Sequence, residues 1–136
     1  MEDFSPKELK PRHAILSGKP GEASITILMR PFLRDQEIVD TSIRLDAIDL
    51  PSNLLKDLAG RSFEFPANPN AGYIDGSIYL GNAHHPIDVS SLHFSETRDG
   101  ELTLIVKGVY VFDFEGLDSL GRAPFTLAAA VSSCAV

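Results

Sequence analysis

Tryptophan is absent from this chain, cysteine occurs once, and apolar residues never run on for long. Each shortage excludes something. The lone thiol, Cys134, cannot close an internal disulfide, so nothing points to an oxidising compartment. Neither a helix N-terminus nor a neighbouring histidine is there to lower its pKa, and it reads as a small terminal thiol without a role. No stretch approaches the roughly 18 consecutive apolar residues of a membrane span. The opening Met-Glu-Asp-Phe-Ser-Pro also lacks the basic and apolar regions of a secretory signal. The expectation is a soluble cytoplasmic protein with no membrane contact.

Positive charge is scarce as well. Twelve Lys and Arg stand against nineteen Asp and Glu, a formal net charge of −7, and a phosphate backbone would be repelled on average. Nucleic acid is therefore not an expected partner. A basic protein would be attracted, which gives one concrete form to an interaction role, that of an acidic inhibitor or immunity-type protein. At 43% hydrophobic and 23% charged residues the composition is that of a globular chain, and 136 residues suit one domain. We expect a loose, proline-containing lead-in over residues 1–11 and a single β-rich domain over residues 12–136.

Catalytic signatures are missing too. Gly18-Lys19-Pro20-Gly21 is a turn and not a phosphate loop, because Pro follows the lysine and a strand follows the turn. No Gly-x-Ser-x-Gly elbow presents a nucleophile, and Ser90 and Ser91 fall in an expected strand. The calcium-loop pattern is absent around Asp113, Glu115 and Asp118, which solvation at a strand end explains. This lack of catalytic signatures counts against an enzyme, and no cofactor is implied.

What the chain does have is alternation. Leu102, Leu104, Val106, Tyr110, Phe112 and Phe114 hold every even position of a 13-residue run except Gly108, the signature of a strand with one buried face. Straight, that run would span on the order of 45–50 Å at roughly 3.3 Å per residue, longer than a domain of this size is wide. The strand must coil, with Gly108 as the natural bend.

The same parity fixes a hairpin. A two-residue Asp99-Gly100 turn would oppose even to odd positions, whereas a three-residue Arg98-Asp99-Gly100 loop sets Glu96 against Leu102, Phe94 against Leu104 and Leu92 against Val106. Upstream, Ile87 and Val89 are out of phase with Leu92 and Phe94, which calls for a β-bulge near Ser90-Ser91.

Further strands are expected over residues 12–17, 23–32, 42–48 (Ile43, Leu45 and Ala47 inward), 61–65 (Phe63 and Phe65 inward), 73–80 and 122–132. Arg34-Asp35-Gln36-Glu37 reads as an exposed connection and residues 81–86 as a turn. Ala128, Ala129 and Ala130 suggest close approach to a neighbouring element. One helix is expected over residues 51–59, with Pro51 in its first turn, Leu54, Leu55 and Leu58 as its apolar stripe and Gly60 ending it. The whole is mainly β: an antiparallel sandwich or strongly curled barrel of about eight strands with one short helix.

The best candidate site is Asn82, His84, His85 and Asp88, with His93 nearby. Three of the four histidines fall within ten residues, beside a carboxylate, and zinc and iron sites use such ligands. A polar turn with solvent-facing imidazoles explains the same residues. Three functions follow. The first is a non-enzymatic binding protein that presents a strand edge or the loops at one end of its β framework to a protein partner, or that pairs with itself as a homodimer through a strand edge. The second is a metal-binding protein or metal-dependent enzyme using His84, His85 and Asp88. The third is a small-molecule carrier with an apolar cavity lined by the aromatic residues.

Overall fold

Ten strands, two single-turn 3-10 helices and one short α-helix appear in the computed structural model, which describes residues 5–81, 83–97, 101–115 and 120–133. In chain order the strands are β1 (Pro11–Lys19), β2 (Glu22–Met29), β3 (Phe32–Arg34), β4 (Glu37–Val39) and β5 (Ser42–Ile48). The helix α1 (Leu55–Leu58) precedes β6 (Ser62–Glu64), β7 (Asp75–Leu80), β8 (Ala83–Glu96), β9 (Leu102–Val111) and β10 (Arg122–Ser133). Seven strands close a barrel in the order β8-β7-β5-β2-β1-β10-β9, with β9 returning to β8. Strand β6 lies beyond β7 on the same edge of β8, and β3 and β4 form a separate hairpin. Of the two architectures expected, the curled barrel is the one found. One of its pairings, β1 with β10, is parallel.

The register of the long hairpin follows from side-chain parity. Glu96 faces Leu102, Phe94 faces Leu104 and Leu92 faces Val106, and the Thr97 N–H donates to the Glu101 carbonyl at 2.8 Å. The loop itself, Arg98-Asp99-Gly100, lies outside the described residues, as do Asn82, Asp118 and Cys134. The bulge is at Ser90: Val89 faces Gly108 while Ser91 faces Lys107. Its backbone is not left unpaired, because the Ser90 carbonyl accepts from the Phe65 N–H at 2.9 Å. Ile87 and Val89 thereby join Leu92 and Phe94 inside the barrel.

Gly108 and Gly76 mark close approaches of neighbouring strands to β8. A Cβ at Gly108 would lie 2.5 Å from the Asp88 carbonyl oxygen, and one at Gly76 would lie 2.9 Å from that of Ile87. Both glycines sit against β8, Gly76 opposite Ile87 and Gly108 opposite Val89, where the missing side chain lets the backbones approach.

Several expectations fail for local reasons. The helix is one turn, not two and a half: Leu54 is still extended, with no side-chain cap, and is 50% exposed, while Leu58 is fully buried. The Ser52 hydroxyl receives the Leu54 N–H and donates to Asp57, so serine organises a turn where a first helical turn was expected. Ala47 points outward because Ala23 pairs with Ile48 while Ile25 pairs with Leu45. One extra residue is accommodated there, with Ala47 at φ 57°, and Ile48 takes the inward position. The even-numbered run breaks after Val111, where residues 112–115 wind into a 3-10 turn that buries Phe112 and leaves Phe114 72% exposed. Of Ala128, Ala129 and Ala130 only Ala129 packs against the core. Finally, the 34–37 connection is the tip of a hairpin: Asp35 and Gln36 both have positive φ, as a two-residue type I′ turn requires.

Buried apolar side chains from all seven barrel strands form one contiguous cluster. At one end Leu50 and Leu58 close it, tied down by the Gly60 N–H donating to the Phe94 carbonyl. At the other end the described part of the lead-in begins at Ser5. Residues Pro6–Glu8 make a 3-10 turn with a capping box from Ser5 and Glu8, and Leu9 is 2% exposed.

Candidate functional site

The histidine cluster does not assemble. His84 and His85 are consecutive in β8 and not in a turn, so one points out and the other in. His85 is 2% exposed, edge-on to Phe112 with ring centroids 5.7 Å apart. His84 is exposed, against the Tyr79 ring at 4.8 Å. Asp88 shares the outer face with His84, but four residues of strand separate them by about 13 Å. Its carboxylate instead receives the Asn68 N–H at 3.2 Å, tying down the 66–72 loop. His93 accepts or donates through Nδ1 to the Ser62 hydroxyl at 2.5 Å. That Ser–His contact was not legible in the sequence, since it depends on β6 pairing with β8. No carboxylate orients the far side of the ring among the described residues, as a nucleophile–base pair would need. Among the described residues no three His, Cys, Asp or Glu stand together as a metal site.

A different site is built by the parallel pairing. Strands β1 and β10 meet over only three residues each, Ala14–Leu16 against Val131–Ser133, and His13 Nε2 lies 2.8 Å from the Ser132 hydroxyl. Before that point the two strands diverge, because β1 continues into the N-terminal turn while β10 runs back along β9. Residues 122–131 of β10 are paired to β9 throughout. Their opposite backbone edge has no strand partner up to residue 130 among the described residues. Pro124 fits this position, since proline within a sheet is confined to edges and bulges.

The seam is a groove of about 730 Å³ lined by Lys7, Leu9 and Lys10 on one wall, with Arg122, Phe125 and Tyr110 on the other wall and floor. Phe125 belongs to the inward-facing set of β10 but is only half-buried, because no strand covers it. It lies across from Gly108 and stacks on Tyr110 at 4.3 Å, and Tyr110 stacks in turn on Phe112 at 5.3 Å. Tyr110 is 1% exposed, and its hydroxyl has no hydrogen-bond partner among the described residues. Burial pushes the phenol well above the usual tyrosine range, so it is a neutral donor at every physiological pH.

The charges of the groove oppose those of the molecule. On a chain of net charge −7, the charged side chains lining the seam are Lys7, Lys10 and Arg122, while two acidic residues flank it: Glu8, whose carboxylate accepts from the Ser5 N–H, and Asp113. Arg122 has one long, exposed contact to Asp113 at 3.8 Å, which is worth little. Sequence reading gave Lys7 and Lys10 to a solvated tail and Arg122 to the start of a strand. Only the barrel closure brings them together. Comparison of the chain with protein-family models, with curated proteins and with solved structures returns no match.

Proposed function

We propose that this protein is a non-enzymatic binding protein whose seam between β1 and β10 receives an extended, acidic segment of a partner protein. The observation that carries this reading is the free backbone edge of β10 inside a groove whose charged lining is basic. An added strand gains main-chain hydrogen bonds from such an edge, and alternate side chains find pockets along it. Past Pro124, residues 125–130 offer a continuous set of donors and acceptors, with Phe125 as an apolar contact. Lys7, Lys10 and Arg122 favour carboxylates on the incoming segment, and they discriminate against lysine-rich ones. The acidic body of the molecule would attract a basic protein; the groove selects the opposite charge, and we assign specificity to the groove because contact there is close and partly desolvated.

The reading is tested with a labelled hexapeptide alternating valine and glutamate, followed by fluorescence anisotropy and by amide chemical shifts. Binding that weakens with salt, shifts centred on residues 125–130, and a loss of roughly tenfold or more in a Lys7→Glu/Lys10→Glu variant are expected. Absence of binding, or equal binding of the peptide with lysine in place of glutamate, overturns it.

A further inference from the structure

We infer that the Tyr110 hydroxyl is the specificity donor of this groove, reserved for a neutral amide carbonyl carried by a side chain of the bound segment. The inference rests on the peptide-binding reading above and deepens it. A buried hydroxyl without a partner costs folding free energy, and a chain under no other demand would place phenylalanine there. The surroundings already favour phenylalanine: Tyr110 is sandwiched between Phe112 and Phe125, and no neighbouring group uses the oxygen. Yet this residue reaches the groove from β9, lining it beside Phe125. The phenol oxygen is closed off in the ligand-free protein, so the entering side chain reaches it by displacing the half-buried Phe125 ring stacked on Tyr110.

The same dryness decides what the acceptor is. A carboxylate brought to that depth would lose its hydration beside a neutral donor, with the lysines and Arg122 on the groove walls rather than beneath it. An amide carbonyl pays far less, and glutamine has the reach. Carboxylates therefore stay at the walls, and one amide side chain goes in.

The experiment compares two peptides with the wild-type protein and Tyr110→Phe: the alternating valine–glutamate hexapeptide with one central valine replaced by glutamine, and the same peptide with leucine at that place. Wild type is expected to prefer the glutamine peptide. Tyr110→Phe should bind it roughly five- to tenfold more weakly, the loss of one neutral hydrogen bond in a dry site, and bind the leucine peptide as well as wild type does. The melting temperature of ligand-free Tyr110→Phe should equal or exceed that of wild type. If wild type binds both peptides equally while the Lys7→Glu/Lys10→Glu variant binds neither, the groove binds peptides and the role given to Tyr110 is wrong. If Tyr110→Phe melts several degrees lower, the hydroxyl serves the fold and the inference fails. If wild type binds neither peptide, the peptide-binding reading falls and this inference falls with it.

Discussion

At the level of single residues, three positions carry strain or frustration that substitution can expose. Ala47 sits at φ 57° in the bulge of β5, where a Cβ is disfavoured by about 1–2 kcal/mol. Ala47→Gly should therefore raise stability by about 0.5–1 kcal/mol after the added unfolded-state entropy is subtracted, measurable as a higher urea midpoint. Gly108 is the opposite case. A methyl there meets the Asp88 carbonyl oxygen at 2.5 Å and the Val89 Cα at 3.0 Å, both backbone atoms that cannot swing away. Gly108→Ala is expected to cost about 3 kcal/mol, and a thermal midpoint unchanged from wild type would refute the close packing of β8 on β9. Tyr110 brings a pH dependence. Its folded pKa lies above the unfolded value of about 10, so only the unfolded chain ionises as pH rises past that point, and stability falls. Relative to Tyr110→Phe, wild type should lose up to about 1.4 kcal/mol per pH unit above pH ~10, and the two should run parallel below it. Urea unfolding of both proteins at pH 9 and pH 11 reads the difference.

At the level of elements, the β8–β9 pair shows what alternation can and cannot reveal. Parity alone determines the register, because a one-residue slip turns a whole face out to solvent, and it demands the extra residue near Ser90. Deleting Ser90 should accordingly preserve cooperative unfolding, since Ile87, Val89, Leu92 and Phe94 then alternate regularly on the inward face. Loss of a sharp melting transition would show that the bulge itself, with its bond from the Phe65 N–H to the Ser90 carbonyl, is required by the fold. The β3–β4 hairpin was hidden from the same reasoning because its pattern is too short to count. Leu33 and Ile38 are cross-strand partners on its solvent face, 58% and 75% exposed, while Phe32 is buried and its partner Val39 packs partly against the core. Its Asp35-Gln36 tip offers no Asn-Gly or Asp-Gly signal. The overlong helix expected over residues 51–59 failed for the reverse reason: its leucine spacing is helical, but Leu54 points to solvent and Ser52 closes a turn. The histidine cluster was misplaced because residues 83–86, polar and proline-containing, read as turn while their backbone pairs with β7.

At the level of the whole molecule, the closed hydrogen-bond circuit leaves one long unpaired strand edge among the described residues, that of β10. The weak point is the parallel junction, three residues long on each side, and Pro6, Lys7 and Leu9 line the groove that opens beyond it. Composition marked residues 1–11 as a loose lead-in, since two prolines and scattered charge carry no period. The burial of Leu9 is a long-range event that depends on where β10 ends, and no local pattern announces it. Its role is open to a direct test. Leu9→Ala removes a fully buried side chain from a wall of the groove, a change that costs about 2–4 kcal/mol where the surroundings cannot collapse. Rigid pairing of β10 with β9 on its other edge prevents such collapse. The destabilisation should also be uneven. Backbone amides of β10 that face the seam between residues 123 and 130 have no strand partner and should exchange fastest in wild type, faster again in Leu9→Ala. Amides shared by β8 and β9 should exchange only through global unfolding and slow or quicken with the urea midpoint alone. Uniform acceleration across all strands would mean that Leu9 is an ordinary core residue; acceleration concentrated on the β10 edge would identify Leu9 as the residue that holds the N-terminal turn against that edge.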